Sequence, residues 1–165
     1  LLDGLIDVHD YLDGRVDLSI REVGATDFSV AGFDVSATGM EHSMDCLAYR
    51  FSGDGGDGDG ESREGSADGD VVYSGDGEAS ASLAAFADGA AVLVHDCSFP
   101  DDVDVSNHPT PSQLGAALSG HDFGRVYLTH LYPHTEGRHD EMLDSIARAY
   151  DGEVRFARDG LRVDV

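Results

Sequence analysis

Apolar positions alternate with polar ones in the first third of the chain and change rhythm after residue 70. Residues 1–12 have weak helical or loop character. Residues 16–23 alternate with period two, which predicts a half-buried strand. Residues 28–37 read as a second strand, with Phe28, Val30, Phe33 and Val35 punctuated by Gly32. Residues 45–51 are a third, favoured by their aromatic content. Residues 53–70 are mostly Gly, Asp, Ser and Glu, too polar to bury, and read as a flexible surface loop. Beyond it strands and helices alternate. Strands are predicted over 70–74, 90–94 and 125–129. Helices are predicted over 78–87, over 111–119 with Thr110 as N-cap and Pro111 in the first turn, and over 136–150. The last carries Met142, Leu143, Ile146 and Tyr150 on one stripe, with Gly152 past its end. Two terminal strands, 153–157 and 161–165, are joined by an Asp159-Gly160 turn. Strands followed by strand–helix alternation predict helices on a mixed sheet, an α/β or layered α+β arrangement, and 165 residues suit one domain.

Charge sharpens this picture. Net charge is −23 with a sequence pI near 4.2. All ten basic residues are arginine, and aspartate far outnumbers glutamate. A lysine-free acidic surface is that of a protein adapted to very high salt, where self-repulsion is screened within a few ångström. There is no basic patch to mark a nucleic-acid surface, although screening leaves a polyanionic substrate open. Hydrophobic residues at 41% supply a core. Cys46 and Cys97 lack metal-site or disulfide spacing, which fits a reducing cytoplasm. No apolar run approaches the ~20 residues of a membrane span. The chain opens on Leu1-Leu2-Asp3-Gly4-Leu5 without an initiator methionine, so a fragment is expected.

Four polar residues stand where strand-like runs end: His42, Asp76, Asp96 and His130. Strand ends on one sheet edge bring distant residues together, and imidazole nitrogens with carboxylate oxygens chelate divalent metals. Asp76 lies in a Gly75-Asp76-Gly77 turn, whose glycines allow close backbone approach. Each position also has a plainer reading. A strand-end histidine is commonly a surface or core residue, and Asp76 would serve as a cap for the helix near Glu78. The Asp-Gly repeats of the polar loop lack the ligand offsets and flanking helices of a calcium loop.

Several segments carry a family resemblance. Glu41-His42-Ser43-Met44-Asp45-Cys46-Leu47-Ala48-Tyr49-Arg50 resembles the "EH…C.GYR" segment of metallo-β-lactamase-fold hydrolases of the ribonuclease Z branch. Tyr73-Ser74-Gly75-Asp76-Gly77 is similar to the "GDT" turn, and Leu93-Val94-His95-Asp96-Cys97-Ser98 to the "HEAT" segment, with Asp for Glu. Asn107-His108-Pro109-Thr110-Pro111-Ser112-Gln113 is similar to "GHSS…Q", and Leu128-Thr129-His130-Leu131 to "THL". The resemblance implies the C-terminal half of an αββα sandwich, a mixed sheet with helices on its outer face. It implies His42 and His130 as ligands of two separate metals, Asp76 as the bridge, and two Zn2+ per complete domain, with Mn2+ or another divalent ion as alternative. It implies His108 as proton donor or oxyanion stabiliser, and Asp96 as the carboxylate that orients it or a ligand histidine. His95 is then structural, and His9, His121, His134 and His139 match no motif.

Three departures qualify that reading. The family's HxHxDH ligand set occurs nowhere in the 165 residues, so the chain is expected to bind metal weakly and to be inactive alone. No arginine-rich arm lies between His42 and Asp76, and Asp96 is shorter than Glu. The leading expectation is a metal-dependent phosphoesterase using zinc-activated water on a small phosphoester or an RNA. Alternatives are a non-catalytic pseudo-hydrolase or binding domain of the same fold, and a phosphate-binding α/β domain using Gly75-Asp76-Gly77. Apolar surface left open by a half-fold predicts aggregation or a homodimer.

Overall fold

The computed structural model of the protein describes residues 20–53 and 69–165. The predictions for residues 1–12, the start of the 16–23 strand, His9 and most of the 53–70 loop lie outside the described residues. Residues 20–23 form no strand.

The described residues form one seven-stranded sheet whose spatial order is the chain order. Its strands are β1 (Asp27–Val30), β2 (Phe33–Met40), β3 (Cys46–Gly53), β4 (Val71–Tyr73), β5 (Val92–Asp96), β6 (Arg125–Thr129) and β7 (Val154–Phe156). Neighbours from β1 to β4 pair antiparallel, and from β4 to β7 parallel. The predicted 28–37 strand is a hairpin instead. Ala31 and Gly32 take φ of 53° and 83°, the left-handed pair that matches a two-residue turn to strand twist.

The parallel strands are joined by α1 (Ala81–Ala87), α2 (Pro111–Leu118) and α3 (His139–Ile146). Right-handed crossovers that all advance in one direction place their helices on one face. The core shows this. Val72, Leu93, Val126 and Leu128 of the sheet pack with Ala84 and Ala87 of α1, Leu114 and Leu118 of α2, and Met142, Ile146 and Tyr150 in and after α3. Each large side chain so buried contributes about 1.5–3 kcal/mol. Arg50 of β3 fastens α1: its Nε donates to Asp70 at 2.7 Å and its Nη1 to the Phe86 and Asp88 carbonyls. These acceptors close the helix's carboxyl end.

Two helices are shorter than predicted. α1 begins after Ser80, whose hydroxyl accepts from Leu83 N–H, so its cap is Ser80 and not Asp76. α3 is preceded by a 3-10 turn at Pro133–Thr135 and by Gly137 at φ 72°, which keeps 136–138 out of the helix. The predicted 161–165 strand is absent. Asp159-Gly160 does turn, but Leu161, Val163 and Val165 instead line a trough with Val71, Val92, Val94 and Tyr127. These four residues alternate in register with the core positions, so the trough lies on the sheet face away from the helices.

Two predictions follow from packing. A Cβ on Gly115 would stand 2.7 Å from the Ile146 carbonyl oxygen, a backbone atom that cannot step aside. Gly115→Ala should therefore lose about 1–3 kcal/mol to overpacking, more than the about 1 kcal/mol that helix propensity returns. Thermal unfolding in molar KCl reads this as a lowered midpoint, and a raised midpoint would contradict it. His95 is buried with Nδ1–H donating to the Asp96 carbonyl at 2.8 Å, and burial pushes its imidazole down to about 4 from 6.5. Between those values the unfolded chain binds a proton that the folded chain refuses, so stability rises with pH. Roughly 3 kcal/mol should be lost as pH falls from 6.5 to 4. Unfolding across that window should show a steeper loss in the natural chain than in His95→Gln, and equal slopes would refute the assignment.

Candidate metal centre

The carboxyl ends of β4, β5 and β6 lie on one edge of the sheet, the edge where open α/β sheets bind ligands. The β2–β3 turn joins them there, because β3 runs antiparallel to β4 with Tyr49 opposite Tyr73. Topology alone thus gathers His42, Asp76, Asp96 and His130 on one rim.

Asp76 follows β4 in a turn pressed against the β2–β3 loop. Gly75 has φ 68°, and a Cβ on it would meet the Leu47 carbonyl oxygen at 2.7 Å. A Cβ on Gly77 would meet the Glu41 oxygen at 3.1 Å, and Glu78 N–H donates to that same oxygen at 3.0 Å. Close approach therefore requires glycine at position 75, and position 77 is tightly packed.

Asp96 is the last residue of β5 and is wholly buried, where the sequence pattern ended the strand at Val94. Ser98 Oγ donates to its Oδ1 at 2.5 Å, and its Oδ2 lies 2.7 Å from His108 Nδ1. Its own N–H donates to Ser74 Oγ at 3.2 Å. Burial raises its pKa, opposed by the bonds to His108 and Ser98 and reinforced by the neighbouring Asp76 carboxylate. Ser74, Ser98 and Glu78 escaped the sequence reading. Glu78 Oε1 accepts from Asn107 N–H at 3.0 Å and holds Asn107 at φ 70°. Asn is among the few side chains that tolerate this region. That bend presents His108 to Asp96.

His130 follows β6 with φ 58°, a strained conformation for a non-glycine residue of the sort that collects at functional sites. It brings Nε2 to 3.1 Å from Asp76 Oδ1, and His108 Nδ1 lies 3.2 Å from that same oxygen. Ligand atoms of Asp76, Asp96, His108 and His130 all fall within 4.8 Å of one another. His42 stands outside this group. Its ring centre is 5.9 Å from that of His108, and its Nδ1 accepts from Met44 N–H at 3.3 Å, which leaves Nε2 free. Among the other histidines, His121 faces Asp88, His139 stacks on Phe156 and His134 lies against Phe99.

The donor set fits a divalent cation on one particular observation. The Asp76 side chain is 44% exposed, yet its Oδ1 is buried and accepts no hydrogen bond despite two imidazole nitrogens within 3.2 Å. His108 Nδ1 is engaged by Asp96 at 2.7 Å, but the approach of His130 Nε2 without hydrogen-bond geometry suits two donors that share a cation, which would give the orphaned oxygen its partner. Two carboxylates side by side in a chain of net charge −23 add the electrostatic demand.

No protein-family model matches the chain. It is 30% identical to ribonuclease Z of Haloarcula marismortui over 94 residues, covering 54% of this chain and 30% of that protein. It is 30% identical to ribonuclease Z of Haloferax volcanii over 99 residues, covering 58% and 31%. The chain thus spans under a third of the length of these curated relatives. In structure it is similar to the metallo-β-lactamase fold protein YhfI of Bacillus subtilis, with TM-score 0.71 and 21% identity over 94% of this chain and 59% of that one. A diphosphatase of the PhnP family follows, with TM-score 0.61 and 16% identity over 98% and 54%. Human tRNase Z, short form, gives TM-score 0.52 and 18% identity over 81% and 44%. The fold is therefore that of the metallo-β-lactamase proteins. The motif resemblance to the ribonuclease Z branch is borne out, and so is the expected mixed sheet with helices on one face.

Zinc titration in molar KCl tests the donor set. Asp76→Ala and His130→Ala should each weaken Zn2+ binding by more than the about 10–100-fold typical of outer-sphere changes, and should abolish the rise in unfolding midpoint on adding Zn2+. Unchanged affinity in both would remove these residues from the site.

Proposed function

We propose that the chain carries part of the active site of a metal-dependent phosphoesterase, of the ribonuclease Z kind within its fold. The observation that supports this best is the buried, bond-free Oδ1 of Asp76 between His108 and His130. In this reading Asp76 would bind between two Zn2+ or other divalent ions, and His42 and His130 would each help to hold one of them. Such ions, when bound, polarise a phosphoryl oxygen and lower the pKa of water.

The chain's own residues supply the rest. Asp96, buried and fixed by Ser98, holds His108 by Nδ1 and leaves Nε2 as the nitrogen for the substrate. As a water oxygen bonds to phosphorus and loses its proton to solvent, the doubly protonated His108 would give its Nε2 proton to the leaving oxygen whose bond to phosphorus breaks, a role worth about 10²–10⁴-fold in rate. Asp96, accepting from Nδ1–H, orients the doubly protonated ring that donates from Nε2.

The substrate in this reading is a small phosphoester or an RNA. The relatives named ribonuclease Z and the diphosphatase and tRNase Z structures support that class. Of the eight described arginines, Arg50, Arg125, Arg138 and Arg155 are taken up in ion pairs with carboxylates. No described helix is long and apolar enough to cross a membrane. A cytoplasmic protein working in high salt fits the acidic, lysine-free composition. A second reading, a binding domain without catalysis, is favoured by the lack of HxHxDH within the 165 residues. On that ground we expect the chain alone to be inactive. The open apolar trough on the second sheet face supports pairing with further protein, a second copy included.

Hydrolysis of bis(p-nitrophenyl) phosphate by the protein as it occurs in the cell, loaded with Zn2+ or Mn2+ in molar KCl, tests the proposal. Asp76→Asn and His108→Ala should each lower the rate by about 10²-fold or more. Full activity in Asp76→Asn would overturn the bridging role, and no turnover by the natural protein would favour the non-catalytic reading.

A further inference from the structure

A single residue ties three loops of the rim together. Glu78, two residues beyond Asp76, donates its N–H to the Glu41 carbonyl at 3.0 Å, and Glu41 precedes His42. Its Oε1 accepts from Asn107 N–H at 3.0 Å, and Asn107 precedes His108. Two bonds from one residue therefore join the Asp76 turn to the loops of His42 and His108. An acid two residues before the cap of α1 would ordinarily serve the start of that helix. This carboxylate instead reaches a backbone amide 29 positions away.

The backbone of His108 is constrained from both sides, and Glu78 supplies one of them. On the carboxyl side Pro109 is buried and bars the residue before it from helical angles. Thr110 and Gln113 then close the capping box of α2. On the amino side stands Asn107 at φ 70°, a region that Asn tolerates but does not favour. The Asn107 side chain donates to Ser106 Oγ at 3.2 Å and does not brace its own main chain. The bond to Glu78 does, and a charged acceptor makes a bond roughly twice as strong as a neutral one. Without it Asn107 is free to leave the left-handed region, and His108 moves with it.

His108 has little room to move. Its Nδ1 lies 2.7 Å from Asp96 Oδ2 and 3.2 Å from Asp76 Oδ1, and proton transfer needs its other nitrogen within hydrogen-bond reach of the leaving oxygen. A displacement of about 1 Å at such a group can cost about 10²-fold in rate. We infer that Glu78 is a positioning residue: by holding Asn107 N–H it fixes His108 against Asp96 and beside the Asp76 carboxylate. The inference rests on the phosphoesterase reading for its effect on rate, and on hydrogen bonding alone for its effect on the His108 ring.

Proton NMR of the zinc-loaded protein, as it occurs in the cell, separates the two. The Nδ1–H of His108, bonded to Asp96, should give a downfield resonance that His108→Ala removes. Glu78→Ala, and Glu78→Met, which keeps the length without the acceptor, should each broaden or abolish it. Glu78→Gln, whose amide oxygen still accepts, should restore it. The Nδ1–H resonance of buried His95 should persist in all of them as the mark of an intact fold. On bis(p-nitrophenyl) phosphate in molar KCl, Glu78→Ala and Glu78→Met should lower kcat about tenfold with KM unchanged, and Glu78→Gln should recover it. Neither change should slow His108→Ala further. A His108 resonance that survives in Glu78→Ala and Glu78→Met, or one lost together with that of His95, would overturn the positioning role alone. A lost resonance with kcat unchanged, or no turnover by the natural protein, would overturn the proton-donor reading of His108 and the effect of Glu78 on rate with it.

Discussion

A carboxylate oxygen taken out of water and given no hydrogen-bond donor costs a protein a few kcal/mol. Asp76 Oδ1 is held in that condition by four separate pieces of chain. Glycines on both sides press its turn against the β2–β3 loop. His130 adopts a left-handed backbone to face it. His108 reaches it from a loop bent at Asn107 and tied to Glu78. Behind them Asp96, buried and bonded to Ser98, fixes the ring of His108. His130 sits in a backbone region that strains a non-glycine residue. A shared cation, as proposed, would account for this convergence.

The sheet makes this convergence possible. Four parallel strands in sequential order place three successive loops on one edge, and an antiparallel neighbour returns the His42 loop to the same edge. With all helices on one face, the opposite face keeps Val71, Val92, Val94 and Tyr127 as a second apolar surface, along which the C-terminal residues run. A sheet with two apolar faces belongs in a layered structure, in keeping with the longer metallo-β-lactamase-fold proteins that the chain overlaps in part.

Sequence made the parallel half of the fold legible because its signals are redundant. β5 and β6 are short apolar runs between polar turns, and α2 carries Thr110, Pro111 and Gln113 at its start, with Gln113 Oε1 accepting from Thr110 N–H at 2.9 Å. It failed where one residue decides the geometry. The β1–β2 hairpin was hidden because Ala31, an ordinary strand residue, takes the left-handed turn position usually left to Asn or Gly. The start of α1 was blurred within a tract of Ala and Ser in which only Ser80 caps. The terminal strand failed because alternation at 161–165 records an apolar strip on a sheet face, and not pairing at its edge. The site's titratable residues could be read from strand ends and motifs. Ser74 and Glu78 could not, since their role depends on contacts across 22 and 29 positions that no local pattern records, and Ser98 bonds a carboxylate two positions away without any motif to mark it. Asn107 left a faint signal, as a left-handed-tolerant residue where the resembling motif has glycine.

Anomalous X-ray diffraction from crystals grown with Zn2+ in high salt tests the central claim most directly. The account predicts a strong zinc peak within bonding distance of Asp76 Oδ1 and His130 Nε2. A map with no peak at that oxygen, while zinc is bound elsewhere on the chain, would contradict it.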